Sequence, residues 1–196
     1  MIRFIFIAVI IPFTQSAMGQ QDTRYFDIKF GGIKIGELKA TRTIRDSLTL
    51  YTLESDVSFW CITPVKIRHH IETVYLKKQL LSSRSVSNAS HNIYTSTIIW
   101  RDGHYQIEVD SYKYTNDEPI HELVECNIAR LYFVEPVNIK KTLADSEGIL
   151  SPIIAVEAAT YEVGGHTKNI FYYDNGVLVR ASILNRIRYE VVARKK

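Results

Sequence analysis

The chain has 196 residues, of which 46% are hydrophobic and 23% charged, a composition typical of an ordinary folded domain and unlike that of disordered, collagenous or coiled-coil chains. Its 24 lysines and arginines stand against 21 acidic residues, so the formal net charge is only +3. That excess is too small for a protein whose main task is to neutralise phosphates. Nucleic acid is therefore not an expected partner.

The N-terminal segment predicts export. Residues 1–3 include Arg3, residues 4–13 form an apolar run too short to span a bilayer, and residues 17–19 place small side chains before Gln20. We expect a cleaved signal peptide over residues 1–19, a single β-rich domain over residues 20–196, and a periplasmic or secreted location. No later apolar run has membrane-spanning length, so no transmembrane segment is expected in the mature chain.

The two cysteines, Cys61 and Cys126, could pair in an oxidising compartment. A disulfide between them would close a loop of about 65 residues and contribute roughly 4 kcal/mol on the chain-entropy model. Spacing does not show whether their Cα atoms approach each other, so pairing and free thiols both stay open. Neither cysteine has a Cys or His neighbour at ligand spacing, so we expect no metal site and no cofactor.

Alternating polar and apolar residues predict strands through most of the chain. Phe26, Ile28 and Phe30 share one face, and Gly31-Gly32 then offers a two-residue hairpin turn. The apolar parity changes at Gly36, which predicts a β-bulge at Gly36-Glu37.

The same alternation continues along residues 51–59 and 65–75, two long strands with one dry face each. The serine-rich residues 82–90 alternate weakly, which favours an exposed or edge strand. Asp102-Gly103 and Asn175-Gly176 mark further hairpin turns. Additional strands are predicted over residues 92–100, 105–114, 153–163, 168–173, 177–184 and 187–193.

Residues 119–133 differ, because their apolar members recur at helical spacing. Pro119 suits a first helical turn and Pro136 ends the run. The pattern predicts one helix, although residues 131–134 would equally suit a strand.

About ten antiparallel strands and one short helix predict a mainly β fold, in which so large a sheet must curl or close. We expect a strongly curled sheet or incomplete β-barrel, with the helix covering one opening. The twelve tyrosines fit the wall of a partly wet, concave interior. A solid sandwich with tyrosines on its surface explains them equally well.

Several short strings occur in a distinctive order: residues 30–37 (FGGIKIGE), 129–136 (ARLYFVEP), 146–148 (SEG) and 172–176 (YYDNG). Together they resemble a domain-of-unknown-function family of small exported bacterial β-rich proteins, with an Ile-Gly-Glu first hairpin and a Leu-Tyr-Phe-x-Glu-Pro segment. The resemblance implies a curled antiparallel sheet in the envelope of a two-membrane bacterium, and it transfers no catalytic residue. Its motif residues are Gly31, Gly32, Gly36, Glu135, Pro136, Asn175 and Gly176.

Two arrangements could carry chemistry. His121 to Glu125 begin like the zinc signature His-Glu-x-x-His, but Glu125 replaces the second histidine and no third ligand is evident, which favours an ordinary acidic surface. Glu54 and Asp56 share one strand face about 7 Å apart, a separation that overlaps that of inverting glycosidases. Carboxylates on strand surfaces are commonplace, so no catalytic residue is assigned.

The leading hypothesis is a non-enzymatic periplasmic protein whose bent sheet holds a lipid or other amphipathic ligand, or docks an envelope protein. His69 has the parity of Ile67 and Ile71, so it should face the interior. A glycan-directed envelope hydrolase using Glu54 and Asp56 or the His121 region is the alternative, and pairing through an edge strand at residues 82–90 is a third hypothesis. The candidate ligand-binding residues are Tyr51, Phe59, His69 and Tyr132.

Overall fold

The computed structural model describes residues 19–60, 64–89, 92–164, 168–184 and 188–195. They form one antiparallel sheet of fourteen strands and one short helix, which confirms the mainly β fold class. The strands are β1 (Gln20–Phe30), β2 (Ile33–Arg45), β3 (Leu48–Trp60), β4 (Pro64–Leu76), β5 (Gln79–Ala89), β6 (Asn92–Arg101), β7 (His104–Ser111), β8 (Tyr114–Asn116), β9 (Lys141–Ala144), β10 (Ile149–Glu157), β11 (Thr160–Val163), β12 (Lys168–Asp174), β13 (Val177–Leu184) and β14 (Arg188–Ala193); the helix α1 is Ile128–Leu131.

The strand number exceeds the predicted ten. The single strand expected over residues 153–163 is two strands, because Ala159 takes a positive φ of 55° in a turn between β10 and β11. Strands β8 and β9 have three and four residues, too few for alternation to reveal.

Two meanders make up the sheet, and they join through its first and last strands. The order runs from β8 back to β1, then from β14 back to β9. At the junction Phe26 of β1 faces Ala193 of β14. Among the described strands, β8 and β9 are therefore the two edges.

The two edges meet through a turn, so the curled sheet forms an incomplete barrel. Asn116 Nδ2 donates to the carbonyl oxygens of Glu147 and Gly148 at 3.1 and 3.0 Å. Gly148 has a φ of +65°, and a Cβ there would lie 2.6 Å from Ile107 Cγ2. The turn between β9 and β10 thus packs on the inner face of β7 and β8.

A β-bulge lies in β2, one residue before its predicted place at Gly36-Glu37. Ile28 faces Gly36, but the next residue of β1, Lys29, faces Lys34, so Ile35 is the extra residue. Gly36 lies against the backbone of β3: an added Cβ would collide with the Asp56 carbonyl oxygen and lie 2.9 Å from Val57 Cα. The close approach of two backbones explains the glycine.

The predicted short helix is present, but α1 covers only Ile128–Leu131 and not residues 119–133, so its predicted extent is wrong. The chain before it is extended: Leu80 N donates to Val124 O at 2.9 Å, and Leu143 N donates to Cys126 O at 2.8 Å. Asn127 then caps the helix, its Oδ1 accepting from Arg130 N at 3.1 Å. Because Val124 and Cys126 bond to distant parts of the chain through their backbone, this segment is extended even though its apolar residues recur at helical spacing.

The edge strand predicted at residues 82–90 is also wrong, since β5 is paired with β4 on one side and β6 on the other. Ser83 and Ser85 are buried, and Ser83 Oγ donates to Asp145 Oδ1 at 2.5 Å. The serines face the interior because the turn between β9 and β10 brings polar partners there. Edge pairing through this strand is therefore excluded.

The segment that contains α1 fills one end of the curl. Tyr132 packs edge-on against Phe26 with ring centroids 5.3 Å apart, and Tyr51 lies 5.5 Å from the ring of Phe133. Tyr173 donates its hydroxyl to the Leu131 carbonyl oxygen at 2.7 Å. The other end is hollow. No helix in the described ranges is long and apolar enough to cross a bilayer.

Candidate ligand-binding cavity

The hollow end of the curl contains a cavity of about 400 Å³, lined by β1 to β5, β9 to β14, the turn between β9 and β10, and the segment around α1. This volume lies in the roughly 300–1,000 Å³ range of small-molecule pockets. One wall is aliphatic because the inward-facing residues of the long, alternating strands converge there. It consists of Ile28, Ile35, Leu38, Leu53, Val57, Ile67, Ile71 and Val191.

Depth along this wall follows position along each strand. On β4, Ile71 is 4% exposed whereas Ile67 and His69 are only half-buried. On β3, Leu53 is buried and Val57 and Phe59 are half-buried. The cavity therefore opens toward the ends of β3 and β4 that carry Phe59 and Ile67.

Polar side chains occupy the part of the lining next to β5, where a second chamber of about 240 Å³ adjoins the cavity. His69, Ser87 and Ser146 line both chambers, so the two are neighbours. The second chamber is lined otherwise by hydroxyl-bearing side chains, namely Ser85, Tyr94, Thr95, Ser96 and Ser111. The interior thus combines aliphatic side chains along β1 to β4 with hydroxyl groups that become frequent toward β5 and β6.

His69 lies at the boundary between the two chambers and lines both of them. It faces Ser55 of β3 and Ser87 of β5 in the sheet register, and all three residues line the main chamber. Loss of hydration on burial, followed by repulsion from His70, lowers the pKa of His69 to about 4. The imidazole is therefore neutral near pH 7.

Asp145 forms part of the floor and is 1% exposed. Burial raises the pKa of its carboxyl group, and hydrogen bonds from Ser83, Asn127 and the backbone oppose that shift. The donors are Ser83 Oγ at 2.5 Å, Asn127 Nδ2 at 2.8 Å and Ile128 N at 3.1 Å. Because these groups come from β5, from the N-cap of α1 and from its first residue, Asp145 connects these elements of the floor rather than standing free for catalysis.

The candidate residues Phe59, His69 and Tyr132 line the cavity, whereas Tyr51 does not. Tyr51 is buried beneath the floor, in contact with Tyr75 at a centroid distance of 5.6 Å. Burial raises the pKa of both Tyr51 and Tyr132 above the usual value. Tyr51 lies on the inward face of β3, but alternation does not say how deep a residue lies.

The sequence pattern did not predict the polar part of the lining, chiefly Ser87, Ser146 and Asn169. The parity of Ser83, Ser85 and Ser87 places them on one face of β5, a signal that was available. This shared parity of serines does not by itself indicate a buried face, because serine is also common on exposed strands.

The carboxylates proposed for hydrolysis lie on the outer face. Glu54 and Asp56 are exposed, and each pairs with a cation on a neighbouring strand: Lys39 at 3.2 Å and Arg68 at 3.0 Å. Neither lines the cavity.

The His121 region is also exposed. Its Glu122 pairs with Lys141 at 2.6 Å, and the ring of His121 lies 5.6 Å from that of His104. No group of three metal-ligating side chains occurs in the part of the chain that the structure describes.

Cys126 is a buried, free thiol in the structure, and burial raises its pKa to about 11. Cys61, its possible disulfide partner, lies outside the described residues, as do residues 1–18 of the predicted signal peptide.

The motif residues have structural positions. Gly31-Gly32 and Asn175-Gly176 form turns in which every φ is positive. Glu135 accepts a hydrogen bond from the Tyr161 hydroxyl at 2.8 Å, and Pro136 O accepts from Ile139 N at 3.2 Å. Burial, and then this bond to Glu135, raise the pKa of Tyr161 to about 12. These contacts hold the segment after α1 against β11.

Fold and cavity together define a class of protein, an open antiparallel barrel with an internal pocket. The chain belongs to the domain of unknown function family DUF6134, whose model matches residues 26–196. The resemblance to a domain-of-unknown-function family of β-rich proteins is therefore confirmed.

Among solved structures, the chain is similar to a beta-barrel-like protein of domain of unknown function DUF1849 from Brucella abortus. The two share 9% sequence identity at a TM-score of 0.48, over 88% of this chain and 95% of that one. No curated protein matches the sequence.

Proposed function

We propose that this protein is an exported, non-enzymatic binding protein that holds an apolar or amphipathic ligand inside its curled sheet. The observation that carries the proposal is the cavity of about 400 Å³ with one aliphatic wall. An apolar wall of this kind favours an apolar ligand, because covering it with a ligand chain is favourable by about 25 cal/mol per Å² of apolar surface removed from water. Half-buried Val57, Phe59 and Ile67 provide an entrance that is itself apolar.

The chemistry of the lining supports binding rather than turnover. Asp145 is hydrogen-bonded to three donors, and the candidate pair Glu54 and Asp56 lies outside the cavity. Among the described residues, no carboxylate forms a hydrogen bond or ion pair with the neutral His69 that would activate it as a general base. Export rests on the N-terminal pattern before Gln20.

The test is to purify the mature protein from its native envelope without detergent and to identify bound small molecules by native and denaturing mass spectrometry. Two variants make the test specific. Ser55→Trp fills the cavity, because Ser55 lines it, whereas Ser58→Trp places the same ring on the exposed outer face of β3. A ligand should accompany the wild type and Ser58→Trp but not Ser55→Trp.

An empty wild-type protein that also fails to bind the neutral apolar probe N-phenylnaphthylamine would overturn the proposal. The same spectra report the N-terminus: a chain that begins at Gln20 would support export, and a chain that retains residues 1–19 would contradict it.

A further inference from the structure

The polar groups of the cavity form a row at one depth in the sheet. Ser55 of β3 is directly opposite His69 of β4, and His69 is directly opposite Ser87 of β5. All three line the main chamber, and His69 and Ser87 also line the second chamber. Aliphatic residues lie on both sides of this row: Leu53 and Ile71 below it, Val57 and Ile67 toward the entrance.

The lining has no positive charge to offer. No lysine or arginine is present among the described residues that line either chamber, while the acidic residues Asp145 and Glu147 line the main one. His69 is neutral near pH 7, since burial disfavours its protonation. A carboxylate or phosphate in this cavity would lose its hydration without gaining a counter-charge, which is strongly unfavourable.

The lining does offer groups that suit an uncharged polar ligand. A serine hydroxyl can both donate and accept a hydrogen bond. On the wall formed by β12, Asn169 lines the main chamber, and its Oδ1 atom is buried without a hydrogen-bond partner. Buried acceptors of this kind normally accept a hydrogen bond. A donor on a ligand, such as a hydroxyl group, would supply that bond to Asn169 Oδ1.

We propose that the ligand is a neutral amphiphile, with an apolar chain along β1 to β4 and an uncharged, hydroxyl-bearing head group at Ser55, His69 and Ser87. This inference rests on the proposed function and adds the class of ligand. It separates acylglycerol-like molecules from fatty-acid anions and phospholipids, which share the apolar chain but carry a negative charge.

The experiment compares monolaurin with laurate, which have the same acyl chain, by isothermal titration calorimetry on the mature protein near neutral pH and below their critical micelle concentrations. Monolaurin should bind at least about tenfold more tightly, because burial of an unpaired carboxylate costs more than this factor. Equal or tighter binding of laurate would overturn the inference.

A charge-introducing variant tests the position of the head group. Ser87→Lys places an ammonium group in the polar row and should raise laurate affinity at least about tenfold over wild type by supplying the missing counter-charge. Ser58→Lys, on the outer face of β3, carries the same charge and should change nothing. If Ser87→Lys does not fold, Ser55→Lys places the charge in the same row. Unchanged laurate affinity in the folded variant would refute the assigned head-group position.

The outcomes separate the two proposals. Binding of N-phenylnaphthylamine with no preference for monolaurin would leave the proposed function standing and remove the neutral ligand class. Failure of the neutral probe and of both lauryl ligands would remove both.

Discussion

Replacing His69 by glutamine should remove a large part of the protein's sensitivity to acid. In the folded protein the pKa of His69 is lowered to about 4 from the ordinary value of 6.5. The unfolded chain therefore binds a proton that the folded chain refuses between these two pH values. The stabilising effect of a neutral His69 is complete above pH 6.5 and is lost progressively as the pH falls to about 4.

The magnitude follows from the shift, because each pKa unit corresponds to about 1.4 kcal/mol. A shift from 6.5 to about 4 therefore gives at most about 3 kcal/mol, the upper limit because the side chain is only half-buried. We therefore compare the free energies of unfolding of wild type and His69→Gln. The wild-type value minus the variant value should decrease by up to this amount as the pH falls from neutral to about 4.

Urea denaturation followed by tyrosine fluorescence or circular dichroism, at a series of pH values, measures this difference directly. His70→Gln is the matched control, since the adjacent side chain is 45% exposed and pairs with Glu72 at 3.9 Å on the outer face. The control should retain most of the acid dependence of the wild type, because it removes only the repulsion from His70 and leaves burial, the larger cause of the lowered His69 pKa. An unchanged pH profile in His69→Gln would refute the claim that this imidazole is desolvated at the cavity wall.

Four further comparisons of variants test the structure. Gly36→Val should lower the free energy of unfolding by about 1–3 kcal/mol, because the side chain collides with the backbone of β3. The control Gly32→Asn, at a turn position with open space around it, should lower it by less than about 1 kcal/mol. Equal effects of the two changes in urea denaturation would contradict the bulge. Asp145→Ala should cost about 2–4 kcal/mol by leaving Ser83 and Asn127 donors unpaired, and Asp145→Asn, which keeps an acceptor, should cost less; the reverse order would argue against the network. Ile71→Ala should cost about 2–5 kcal/mol at its buried position, whereas Ile67→Ala near the entrance should cost less and weaken N-phenylnaphthylamine binding; a stability loss as large at Ile67 would place it in the closed core. The double variant Glu54→Gln, Asp56→Asn should leave probe binding unchanged and lower stability by less than about 1 kcal/mol per exposed pair, and a loss of binding would revive a role for these carboxylates.

Alternation in the sequence was sufficient to predict which face of a strand is covered. The inward parity of His69, Ile67 and Ile71 on β4 agrees with the structure, and positive-φ turns lie at Gly31-Gly32 and Asn175-Gly176. These features depend on neighbouring residues alone: the pleat alternates side chains, and glycine or asparagine suits the turns.

Features that depend on distant partners could not be predicted in this way. Tyr51 and Val57 share one face of β3, yet one is buried under the floor and the other is near the entrance, because depth depends on where the segment around α1 crosses. That segment is extended up to Asn127 because Leu80 and Leu143 donate to its carbonyl groups. The polar side of the cavity was missed for the same reason, since Ser87 becomes an interior residue only when strands far apart in sequence curl around it.

The seam between β1 and β14 determines the order in which the molecule can be completed. Arg194 Nε donates to Asp27 Oδ1 at 2.8 Å across this seam, over a sequence separation of 167 residues. Each meander can form through local hairpins. The backbone groups on one edge of β1, however, stay unpaired until β14 pairs with them. Closing so long a loop carries a greater entropic cost than closing a hairpin. During synthesis β1 therefore presents an unpaired strand edge in the middle of the future sheet. This edge can associate with another chain until β14 pairs with it.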